Sequence, residues 1–89
     1  MPSISMFYGI IIYMYFFDNK KHKLPHIHAK YNEYEAVFDL SSGEIIDGKF
    51  PNRETNFVKT WILLRQNELF ANWTLAESGE ALYKIEPLR

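Results

Sequence analysis

The chain divides into stretches of strand-like apolar pattern followed by stretches of helical pattern. Phe7 to Phe17 is an uncharged run rich in Ile, Tyr and Phe. Its β-branched and aromatic content reads as one buried strand. Apolar residues on both of its faces place that strand in the centre of a sheet, or with its second face against a partner subunit. Segment 26–40, HIHAKYNEYEAVFDL, alternates in two halves around Asn32-Glu33. A tight turn there, with a three-residue or bulged loop as the alternative because Asn-Glu is not the favoured Asn-Gly pair, sets Tyr31 opposite Tyr34, Ala29 opposite Ala36 and Ile27 opposite Phe38 on one side. On the other side Lys30 faces Glu35, His28 faces Val37 and His26 faces Asp39, so one register sorts apolar from polar and pairs opposite charges. Ser41-Ser42-Gly43 is a second turn, and Glu44 to Phe50 a further strand that ends at Pro51.

Beyond Pro51 the period changes. Asn52 is the expected N-cap, Glu54 lies in the first turn, and Phe57, Val58, Trp61, Ile62 and Leu64 recur at helical spacing. The polar turn Arg65-Gln66-Asn67-Glu68 interrupts the stripe, which resumes at Leu69, Phe70, Trp73 and Ala76 and stops at Ser78-Gly79. Two helices, or one with a kink, are predicted. Ala81 to Leu88 is a short strand or a docked extended segment. The fold class that follows is α+β: an antiparallel meander of about four strands with a C-terminal helical segment packed on one face.

At 89 residues this is one domain, 1–89, with a modest core. Aromatic residues make up 17% of the chain, and rings are an efficient way for a short chain to bury area, so the core is their expected place. The absence of cysteine excludes disulfides, zinc thiolates and thiol nucleophiles, and favours a reducing, cytoplasmic setting. The apolar run at the N-terminus has eleven residues, against about 20 for a spanning helix. It also lacks the basic flank and cleavage site of a signal peptide, so no membrane role is expected.

The net charge of -1 conceals an asymmetry. Asn19 to Asn32 holds Lys20, Lys21, Lys23, Lys30, all three histidines and no acid, which is +4 against -5 for the remainder. That segment is the expected binding surface, through Lys20, Lys21, His22, Lys23, His26, His28 and Lys30. His26 and His28 stand two apart, so both rings project from one face of a strand.

Three chemistries are open to this cluster. The first is a metal site of His22, His26, His28 and Asp39, opposed by the neighbouring lysines. The second is anion recognition, either as binding alone or with His26, His28 and Asp39 as catalytic acid and base on a phosphodiester. The third is structural, with His26 and Asp39 bracing the hairpin. No phosphate-binding glycine loop, nucleophilic serine motif or metalloprotease helix is present, and no cofactor is expected.

Met1-Pro2-Ser3-Ile4-Ser5, Phe7-Tyr8-Gly9-Ile10, Met14-Tyr15-Phe16, Pro25-His26-Ile27-His28-Ala29, Glu35-Ala36, Trp61, Glu68-Leu69, Asn72-Trp73 and Ile85-Glu86-Pro87-Leu88 together resemble the bacterial domain-of-unknown-function family 4160 over essentially the whole chain. The resemblance implies a small cytoplasmic bacterial protein without an established activity. It also implies a neighbouring gene of family 2442, in an arrangement of toxin and antitoxin type. Its motif positions here are His26 and His28, with His22 in one subgroup, and many relatives have arginine where this chain has Tyr13. The reading that follows is a non-enzymatic interaction module whose partner is the family 2442 protein or a nucleic acid. The alternative is a ribonuclease-like or metal-dependent toxin. A homodimer through the first strand is a further expectation.

Overall fold

The computed structural model describes residues 3–16 and 24–89. Five strands form one antiparallel sheet in sequence order: β1 (Ser3–Phe7), β2 (Ile10–Tyr13), β3 (His26–Tyr31), β4 (Tyr34–Asp39) and β5 (Ile45–Lys49). Two helices follow, α1 (Asn52–Leu64) and α2 (Gln66–Glu77). The α+β meander is as the pattern predicts, with five strands in place of about four.

The fifth strand comes from the N-terminal apolar run. It is not one strand but the end of β1, a turn at Tyr8-Gly9, and β2. Tyr8 has φ 50 and Gly9 φ 78, the two positive values that a two-residue type I′ hairpin requires. β1 is therefore an edge strand and β2 an inner one. The central hairpin has the register read from sequence, Tyr31↔Tyr34 through His26↔Asp39, closed by Asn32 at φ 53. Asparagine tolerates that region better than most side chains.

One sheet face and both helices enclose the core. Ile10, Ile12, Ile27, Ala29, Ala36 and Phe38 meet Val58, Trp61, Ile62, Leu69 and Trp73 in a single cluster. Both tryptophans are buried, as are Phe7, Phe38 and Phe50. The tyrosines depart from the expectation that rings fill the core: all six are half-buried or exposed, because a phenol keeps its hydroxyl near water.

Two helix boundaries also differ from expectation. Asn52 lies within α1, and Pro51 precedes it with no side-chain cap. The proline's fixed φ of -63 suits that flanking position. At the polar turn the chain breaks into two helices at Arg65 (φ -114, ψ 24). The side chain of Gln66 then reaches back to donate to the carbonyls of Leu40 (3.0 Å) and Ser41 (2.9 Å).

Two positions test this packing. Gly48 has φ 84, and a Cβ there would stand 2.4 Å from the carbonyl oxygen of Glu35. Gly48→Ala is expected to cost about 1–3 kcal/mol in urea unfolding, through left-handed backbone strain and a clash with backbone that cannot swing aside. Ser5 is buried at the bulge of β1, and its hydroxyl has no hydrogen-bond partner among the described residues. Ser5→Ala should leave stability unchanged or raise it by about 1 kcal/mol, since the substitution removes an unsatisfied polar group.

Candidate functional site

The register that buries Ile27 and Phe38 turns a second set of residues to the face away from the helices. Tyr13↔His28↔Val37↔Asp47 forms one cross-strand row, and Ile11↔Lys30↔Glu35↔Lys49 the next. Residues directly opposite in an antiparallel pair share a face, so each row runs across four strands. Met6 extends the second row onto β1 through its pairing with Ile11.

An unbroken line of rings crosses this surface and enters the core. Tyr13 and Tyr15 are stacked, with centroids 6.1 Å apart and planes 7° from parallel. Tyr15 meets His28 edge-on at 4.5 Å, and His28 meets His26 at 5.3 Å. The line ends on Trp73 of α2, 5.0 Å from the His26 ring.

The two histidines, alike in spacing, therefore differ in situation. His26 is 1% exposed, and its Nδ1 lies 2.7 Å from the carbonyl oxygen of Leu24. That contact requires Nδ1 to carry the proton, since a carbonyl only accepts. His26 is a packed part of the sheet rather than a contact on its surface. His28 is half-buried and presents its ring to the open face beside Tyr15, and Lys30 is exposed.

Asp39 is paired with His26 in the backbone register, but its carboxylate serves its own turn. Oδ1 accepts the Ser41 N–H at 2.8 Å and Oδ2 the Ser42 hydroxyl at 3.3 Å. Asp-x-Ser-Ser after a strand is a local turn signal that sequence reading could have caught. Lys20, Lys21, His22 and Lys23 lie outside the described residues, so the binding and metal roles read for them have no geometry here. Among the described residues no group of three or more His, Asp or Glu side chains comes together in a way that could hold a metal ion.

The family model for a domain of unknown function, DUF4160, matches residues 9–74, well over half of the chain. The chain belongs to the DUF4160 family. The matched span contains β2 to β5, α1 and most of α2, and with them the open sheet face from Ile11 to Lys49. The Met1–Ser5 and Ile85–Leu88 blocks lie outside it, so the match is shorter than the whole-chain resemblance. No curated protein and no solved structure matches this DUF4160 chain.

The geometry separates structural from contact roles within the histidine cluster. Asp39→Ala is expected to lower stability by about 1 kcal/mol through loss of the turn's hydrogen bonds. Asp39→Asn should recover most of that, because one carbonyl oxygen suffices for the Ser41 N–H. Urea unfolding of the two variants measures it.

Proposed function

We propose that this protein is a non-catalytic binding module that takes single-stranded nucleic acid on its open sheet face. The stacked Tyr13–Tyr15 pair beside His28 carries the reading. The three rings are half-buried, at and just past the end of β2 and on β3, and a row of rings with part of its surface open is a platform on which unpaired bases stack, at about 1–3 kcal/mol per base. Lys30 flanks the rings in the adjacent row, which ends across the sheet at Lys49 beyond Glu35. The chain that joins β2 to β3 adds Lys20, Lys21 and Lys23 by sequence.

The engagement of Asp39 in its own turn and the burial of His26 favour binding over cleavage. A catalytic pair would need both groups at the reacting atoms. A bacterial, cytoplasmic setting and a two-gene system of toxin and antitoxin type, with a family 2442 protein as neighbour, belong to the same proposal. They rest on the family resemblance, and the compartment also on the lack of cysteine.

Fluorescence anisotropy with a labelled twelve-nucleotide single strand in low salt tests the surface. Binding is expected to weaken about tenfold on each of Tyr13→Ala and Tyr15→Ala. It should also fall with added salt, with a shallower slope in Lys30→Gln, because fewer counterions are then released. Absence of binding, or binding indifferent to all three substitutions in folded protein, overturns the proposal. Capture of the family 2442 protein by the same face would then become the reading.

A further inference from the structure

The segment after α2, residues 80–89, forms neither helix nor strand, yet much of its backbone is held. The Tyr83 N–H donates to Asn72 Oδ1 at 3.1 Å, and the Tyr83 carbonyl accepts from Asn72 Nδ2 at 2.8 Å. The Ile85 N–H donates to the Ile4 carbonyl on the edge of β1 at 2.8 Å. The Glu86 carbonyl accepts from Trp61 Nε1 at 2.7 Å. Asn72 and Trp61 are both buried, so the donors and acceptors are fixed in place by the core. Ile85 is buried in the core, and Leu82 and Leu88, half-buried, pack against it.

This is how a groove reads an extended chain: main-chain hydrogen bonds supply the attraction, and apolar contacts, here those of Leu82, Ile85 and Leu88, select the side chains. A clamp of that kind acts on any strand of suitable shape, whether or not it is covalently attached. The segment is also loosely bordered. A groove of about 500 Å³ lies between it and Met6, Ile11 and Tyr13 on one side, and a cleft of about 250 Å³ beside Glu68 and Ala71 on the other.

The chain reversal that returns the segment to its own groove is made at one residue. Gly79, at φ 72, reverses the chain at the end of α2, with Gly79 N–H donating to Ala76 O (3.2 Å) and Glu80 N–H to Leu75 O (2.9 Å). Ser78 to Ala81 are all exposed, so the hinge itself carries no core side chain, and the Ile85 that opening withdraws is replaced by that of the second copy.

We propose that the groove formed by Asn72, Trp61 and the β1 edge is an acceptor site for an extended strand, and that its occupant in trans is segment 82–88 of a second copy. Opening at Ser78 to Ala81 exchanges the two segments and gives a swapped dimer that uses the bonds already present in the monomer. A short tether holds the segment at an effective concentration on the order of millimolar, so the unaltered chain is a monomer at micromolar concentration.

Gly79→Val disfavours the left-handed hinge, lowering the weight of the closed form by about tenfold per chain. With two hinges released per dimer, the dimerisation midpoint moves by about 100-fold, to the order of 10 µM. Light scattering across a concentration series reads that shift. Deletion of Glu80 and Ala81 must give the same dimer, because the shortened hinge no longer reaches its own groove. Met6→Lys, added to Gly79→Val, must leave the dimer intact, since Met6 is 64% exposed on β1 and none of the hydrogen bonds that hold the segment runs to it. Monomers up to millimolar concentration in both hinge variants overturn the proposal. So does a dimer abolished by Met6→Lys, which would be edge-to-edge pairing of β1.

Discussion

The register of the β3–β4 hairpin is the constraint from which the rest of the molecule follows. Side chains on a strand alternate with a period of two, so the pairing of Tyr31 with Tyr34 across a two-residue turn decides the face of every residue in both strands. With that choice Ile27, Ala29, Ala36 and Phe38 lie under the helices, and His28, Lys30 and Glu35 lie on the far face. β2 inherits the order through Ile12↔Ala29, and β5 through Val37↔Asp47. A slip of one residue would drive Lys30 and Glu35 beneath the helices, where an unpaired charge is far more costly than any turn strain.

The same periodicity explains which parts could be read without coordinates. The central hairpin, the helical stripe broken at Arg65 and the stop at Gly79 each carry polar or glycine punctuation that contrasts with their surroundings. The N-terminal hairpin carries none. Its turn is Tyr8-Gly9 inside a wholly uncharged run, and tyrosine at positive φ is a poor advertisement for a turn. Burial of His26 depends on Trp73, 47 positions away in sequence, and no local pattern encodes that meeting. Its neighbour in spacing, His28, keeps a half-buried place on the open face because Tyr13, not a helix, stands opposite it. The sequence pattern places Gln66 only within a polar interruption, whereas its amide joins the start of α2 to the turn after β4.

Trp61 is where the layers are joined. Its ring lies 5.2 Å from Phe7 of the N-terminal hairpin, and its indole N–H holds the Glu86 carbonyl. One residue of α1 thus fixes the positions of the first strand and the closing segment together. Phe38 and Phe50, edge to face at 5.7 Å, do the equivalent at the β4–β5 side. The open face borders the closing segment as well, since Met6, Ile11 and Tyr13 form the near wall of the groove beside Lys84 and Pro87. The two surfaces given binding roles are therefore contiguous at the β1 edge.

The bond from Ile85 to Ile4 also orders events in time. Every strand pairs with its sequence neighbour, so the sheet assembles from short loops that close quickly as the chain is made. The contact between Lys84 and Ser3 spans 81 positions and waits for almost the whole of this sequence to emerge. A nascent chain therefore presents the meander with a bare first strand until Lys84 and Ile85 have been made, and only then can the edge be covered.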